Sequence, residues 1–168
     1  MNRINEWANY YDQFDYFSVT TVRDGCQPRI MRHHSPTNKA VVLVHGLTDS
    51  PYFLEAIGNH FHSQLGYDVY MPLLHCHGLK EPMGMEDVAL EEWKKNVEFS
   101  VNTAAETADI VSIGGLSTGG TLSFFTACNM TDNQNFKNDP YGILEAEQVG
   151  GQPERLIKCS QKGYPIRK

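Results

Sequence analysis

Ala40-Val41-Val42-Leu43-Val44-His45-Gly46 is an apolar, mostly β-branched run that stops abruptly at glycine. A second run of the same kind, residues 109–120, reads Asp-Ile-Val-Ser-Ile-Gly-Gly-Leu-Ser-Thr-Gly-Gly. Short runs that are apolar on both faces suit strands buried in a parallel sheet. A helical pattern follows each, so both read as strand, tight turn, helix. The second turn carries Ser117 in the frame Gly115-Leu116-Ser117-Thr118-Gly119, the best candidate for a reactive atom in the chain.

Between these runs the pattern continues. Ser50 is placed to cap a helix whose first residue is Pro51, where a missing N–H does no harm. Leu54, Ile57, Phe61 and Leu65 then form one apolar face, and Gly66 sits where a helix stop belongs. Residues 68–72 read as a strand, and a loop over 75–85 leads into a long helix. That helix buries Leu90, Trp93, Val97, Val101 and Ala104. Residues 109–113 are the next strand, followed by a helix with Leu122 and Phe125 facing inward. Strand and helix thus alternate three times from residue 40 to residue 128. This predicts an α/β class: a mostly parallel sheet, right-handed crossovers, and helices on both faces in three layers.

The flanks are less regular. Trp7, Tyr10, Tyr11, Phe14 and Phe17 recur at helical spacing, as in a short helix packing its aromatic side on the domain. Residues 17–23 alternate branched and polar side chains, Asp24-Gly25 signals a turn, and 28–33 read as the returning strand of a hairpin. Beyond residue 129 the chain turns polar, with a turn at 139–142 and a break at 150–153. A helix over 143–148, one more turn over 155–159 and no further central strand are expected there. The whole is one domain, 1–168, with a core over 17–128 and a divergent or truncated tail over 129–168.

Bulk properties bound the partners. A length of 168 residues suffices for a real core. The net charge of −6 disfavours nucleic acid and anionic membranes. No run nears the ~20 apolar residues of a membrane span, and the N-terminus lacks a signal-peptide h-region, so a cytoplasmic location is expected. Cys26, Cys76, Cys128 and Cys159 are widely spaced and read as free thiols. Neither a G-x-G-x-x-G pattern nor a Walker lysine points to a nucleotide.

A serine hydroxyl is a poor nucleophile and needs a positioned base. A sharp bend between strand and helix thrusts its Oγ outward at the carboxyl end of the sheet. A side chain at Gly115 or Gly119 would collide with the adjoining strand or helix. The helix amino end favours a developing oxyanion. The competing reading is a glycine-rich turn with an incidental serine, because G-x-S-x-G also arises by chance.

Val44-His45-Gly46-Leu47 after one strand, with Gly115-Leu116-Ser117-Thr118-Gly119-Gly120 after a later one, resembles the α/β-hydrolase family. Within it, the chain is most similar to the bacterial carboxylesterase and monoacylglycerol-lipase-like branch, and the segment from Pro72-Leu73-Leu74 to His77-Gly78 is similar to that branch's loop after its fourth strand. The resemblance implies hydrolysis of small or medium acyl esters through an acyl-serine, with Ser117 as nucleophile. It implies oxyanion donors at the backbone N–H groups of Leu47 and Thr118, and no metal or organic cofactor. His45 is then a structural residue under the oxyanion loop.

One departure stands out. Triad order in that fold is serine, acid, histidine. All seven histidines here (His33, His34, His45, His60, His62, His75 and His77) precede Ser117. Asp132 and Asp139 follow it but sit in no recognisable strand-end turn, so acid and base stay unassigned. The expectation is a truncated or frame-disrupted hydrolase, or a non-catalytic remnant that binds apolar ligands or partners. A third alternative brings the imidazole from another protomer, or from a refolded loop bearing His75 or His77. His75-Cys76-His77 is weak as a metal site and reads as a structural loop. Without later strands, residues 110–113 become an apolar edge. The tail is then expected to fold over that edge, or the chain to form a homo-oligomer through it.

Overall fold

In the computed structural model, residues 6–81 and 85–129 are described, together with the backbone of 142–146 and 156–160. The elements in order are α1 (Ala8–Gln13), β1 (Arg29–Met31), β2 (Lys39–Val44), α2 (Glu55–Leu65), β3 (Asp68–Met71), α3 (Leu90–Ala105), β4 (Ile110–Leu116), α4 (Thr118–Asn129), β5 (Gly142–Ala146) and β6 (Leu156–Ser160). The strands form one sheet in the order β1-β3-β2-β4-β5-β6. β3, β2, β4 and β5 run parallel, while β1 and β6 are antiparallel to their neighbours at the two ends.

β2 is the central strand because its side chains satisfy both faces. Val42 and Val44 join a cluster with Trp7, Tyr10, Val97 and Leu122, contributed by the N-terminal segment, α3 and α4. Val41 and Leu43 face the other way, packing with Leu54, Phe61 and Met71 on the α2 side. Val41, Val42 and Val44 are fully buried. Each burial contributes about 1.5–3 kcal/mol, more than the ~1 kcal/mol spanned by strand propensity, so packing fixes this strand. The expected three-layer arrangement follows from that two-sided burial.

The N-terminal aromatic helix forms as expected, though only over α1. Tyr10 is completely buried, and its hydroxyl donates to the Leu73 carbonyl at 2.8 Å. Trp7 stacks on Phe99 of α3 with ring centroids 5.6 Å apart. Tyr10→Phe leaves that buried carbonyl without its donor. The expected cost is about 1–3 kcal/mol, read as a lower urea midpoint at unchanged slope.

Several local expectations are corrected. Residues 17–23 form no strand. Ser18 and Thr21 instead exchange side-chain and backbone bonds, with Thr21 Oγ1 accepting from the Ser18 N–H at 2.9 Å and Ser18 Oγ from the Thr21 N–H at 3.1 Å. Such hydroxyls compete with a sheet ladder for the backbone. Only an isolated bridge from Val22 to Leu79 remains. β1 accordingly pairs with β3 rather than closing a hairpin. Ser50 occupies the N-cap position but makes no capping bond, and the first turn, Pro51–Leu54, is a 3₁₀ helix. Gly66 does end α2 in the left-handed conformation, at φ 72°. Leu65 and Leu90 are exposed. So is Phe125, whose ring lies under the Lys94 ammonium at 4.8 Å.

The largest correction lies beyond β4. A helix over 143–148 and a turn over 155–159 were expected, yet β5 and β6 are strands, and β5 pairs in parallel with β4 from Ser112↔Gly142 to Leu116↔Ala146. An apolar strand cannot leave its N–H and C=O groups unpaired at a dry edge, and that requirement overrides weak local propensity. The tail therefore covers β4, as one of the two stated outcomes had it. Both edges of β4 are thus paired, one with β2 and the other with β5. Asp132, Asp139 and the expected break at 150–153 lie outside the described residues.

Candidate active site

A single residue, Ser117, separates the last residue of β4 from the first of α4. Its φ of 53° lies in the left-handed region, which costs a non-glycine residue about 1–3 kcal/mol unless the surroundings impose it. Those surroundings do. A Cβ on Gly115 would lie 2.5 Å from both the Val44 carbonyl oxygen and the Gly119 carbonyl carbon. One on Gly119 would overlap the carbonyl oxygens of Val44 and His45. The two glycines thus let α4 start directly against the end of β2, and the chain has only one residue in which to reverse. Ser117 is left exposed on the bend.

The turn after β2 lies alongside. A Cβ on Gly46 would come 3.6 Å from the Ser117 Cβ and 3.1 Å from the Leu116 carbonyl. Within this turn the Asp49 N–H returns to the Gly46 carbonyl at 3.3 Å. Thr48 has φ 60°, a strained value for a β-branched residue. The Leu47 side chain is exposed. Among the described residues, no group accepts the Leu47 N–H.

Two buried histidines hold the base of this turn. His45, fully buried, bonds the Gly46 carbonyl through Nδ1 at 2.8 Å and accepts the Leu74 N–H on Nε2 at 3.0 Å. This fixes a neutral ring protonated on Nδ1. Burial lowers its pKa from 6.5 to about 3, helped by His77 and opposed by the Gly46 bond. A proton that the unfolded chain accepts near pH 6.5 is thus refused by the folded chain until about pH 3. The stability His45 contributes is intact above pH 6.5 and is lost progressively as pH falls toward 3. Urea midpoints across that window are expected to fall with pH, and to fall less steeply in His45→Gln.

His77 accepts the Thr48 N–H on Nε2 at 3.2 Å, and its Nδ1 lies 2.9 Å from the His75 carbonyl. The His75 backbone is itself fixed from α3. Trp93 Nε1–H donates to its carbonyl at 2.9 Å, and its N–H donates to Asn96 Oδ1 at 2.9 Å. The ties from Trp93 and Asn96 to residue 75 carry no periodic signature in the sequence. A buried asparagine on an apolar helix face was the available signal. Burial raises the Asp49 carboxyl above its ordinary value, against the lowering effects of the Ser50 N–H and His77. It lowers the His75 imidazole, a shift modified by Glu92, His77 and Asp87.

The three site residues named from sequence therefore gather at one place: Ser117 on the bend, Thr118 as the first residue of α4, and Leu47 in the adjoining turn. Among the described residues, no group of three or more His, Cys, Asp or Glu side chains is arranged to hold a metal ion. None of the helices described is long and apolar enough to cross a membrane.

No protein-family model matches the chain. A thermostable monoacylglycerol lipase from Bacillus sp. (strain H-257) is 31% identical over 87 residues, 52% of this chain and 34% of the lipase. A solved structure from work on LipS and LipT, two metagenome-derived lipolytic enzymes, superposes with a TM-score of 0.56 at 27% identity. Over this partial segment the chain is related to the α/β-hydrolases. The superposition covers 63% of this chain and 41% of the solved chain. The chain therefore spans between a third and about two fifths of the length of the relatives it matches.

Proposed function

We propose that this chain is a serine hydrolase of the esterase and lipase type, acting on carboxylic esters through an acyl-serine. The observation that carries the reading is Ser117 at φ 53° on a one-residue bend, beside the Gly46 turn. Strain of this kind persists only where the surrounding structure imposes it, and such sites cluster at functional positions. In the proposed step Ser117 Oγ attacks the ester carbonyl carbon, and its proton passes through solvent water to the departing alkoxide oxygen. The carbonyl π pair moves to oxygen, between the N–H groups of Leu47 and Thr118. Collapse expels the alcohol, and water then releases the acid and regenerates the serine. The α4 amino end adds its dipole to those two donors. Similarity to a monoacylglycerol lipase and to a lipolytic enzyme supports an ester as the substrate class.

A second reading has its own observation. Both ring nitrogens of His45 and of His77 are engaged by backbone groups, so neither imidazole is free to take the Ser117 proton in this structure. The chain would then bind apolar acyl ligands without turning them over. Hydrolysis of p-nitrophenyl esters of short and medium acyl chains separates the two. Release that disappears in Ser117→Ala supports the first reading. Binding without release, or equal release by both proteins, contradicts it.

A further inference from the structure

We infer that His77 is the positioning residue for the oxyanion turn, holding Thr48, and through it the Leu47 N–H, with a neutral imidazole that accepts at Nε2. The inference rests on the proposed role of Leu47 and adds to it a regulating group. Three observations converge on it. The Thr48 N–H reaches His77 Nε2, and the Thr48 backbone is in a conformation it would leave if released. His77 is buried, and its other nitrogen meets the His75 carbonyl, so the ring has no spare acceptor and cannot rotate without losing a bond. The carbonyl it uses is anchored by Trp93 of α3, so the turn is referred to the body of the domain rather than to another loop.

The bonding pattern sets the response to acid. A protonated imidazole donates from both nitrogens and cannot accept the Thr48 N–H. Acidification therefore releases the turn, and a higher pH restores it. The titratable groups facing His77 are His45 at the end of β2, Asp49 in the turn and His75 in its own loop. α3 presents the Trp93 ring, whose centroid is 5.5 Å away.

Two side-chain amides divide the functions of the ring. In His77→Gln an amide oxygen can stand near the Nε2 position and accept the Thr48 N–H, but it does not titrate. In His77→Asn the amide reaches only the Nδ1 position. With a fluorophosphonate probe, His77→Gln is expected to label at close to the parent rate at neutral pH and to lose the acid-side fall. His77→Asn is expected to label at least about tenfold more slowly throughout, as an oxyanion donor goes out of place. Equal rates in the two variants, or an acid-side fall that persists in His77→Gln, overturns the inference. Nitrogen-15 spectra of the unreacted parent chain give a readout independent of Ser117 chemistry. His77 should be protonated on Nδ1, and the Thr48 amide should move together with the His77 ring on acidification. A Thr48 amide that stays still while His77 titrates overturns the inference. A parent chain that shows the coupled titration but takes no label overturns the proposed function alone.

Discussion

Gly119→Ala is expected to destabilise the fold by at least about 3 kcal/mol, enough to leave little native protein at ordinary temperature. The added methyl group would overlap the carbonyl oxygens of Val44 and His45. Backbone atoms of a central strand cannot swing aside as the end of a flexible side chain can. Relief requires α4 to lift from β2, which uncovers Leu122 and the valines beneath it. Overpacking of a core by a methylene typically costs 1–3 kcal/mol, and backbone overlap belongs at or above the top of that range. Gly120→Ala is the control. Its new Cβ would meet the Gly115 carbonyl oxygen at 3.1 Å, a tight contact that small shifts relieve. Urea unfolding of the two variants gives the comparison. Equal midpoints for Gly119→Ala and the parent would show that α4 does not start against β2.

Ser117→Ala is expected to abolish covalent capture by a fluorophosphonate while leaving stability within about 0.5 kcal/mol. In the proposed step the Ser117 hydroxyl is the attacking atom. Removing the nucleophile of a serine hydrolase costs several orders of magnitude in rate. The residue is exposed, and alanine faces the same left-handed backbone as serine, so little folding energy changes. Ser117→Gly completes the test. Glycine accepts φ near 53° without penalty, so this variant should be more stable than the parent by about 1 kcal/mol and equally unreactive. A gain of stability with loss of reactivity at one position is what a strained functional bend requires.

Much of this arrangement is legible in the sequence. Residues 40–44 announce a buried strand because their apolar character is continuous, and 110–113 do so with Ser112 as the one polar interruption; such runs suit a parallel sheet covered on both sides. The glycines at 115 and 119 are legible for the same reason that makes them irreplaceable: nothing larger fits between strand and helix. What escapes is decided by partners distant in sequence. Residues 142–146 and 156–160 carry little strand signal of their own, and they pair because β4 has an open ladder to fill. Residues 17–23 alternate like a strand, but the Ser18 and Thr21 hydroxyls take the backbone bonds first. Phe125 fits the inward stripe of its helix by spacing, yet it lies outward under the Lys94 ammonium. The two-histidine hold on the turn was half visible. His45 follows the strand it serves, whereas the bond from His77 to Thr48 spans 29 residues and has no periodic signature.

The central claim is that Ser117 Oγ is the nucleophile, and peptide-level mass spectrometry of the fluorophosphonate-treated chain tests it most directly. The account predicts one adduct, on the peptide carrying Ser117 and absent from Ser117→Ala. An untouched Ser117 peptide, or an adduct elsewhere that survives in Ser117→Ala, would contradict it.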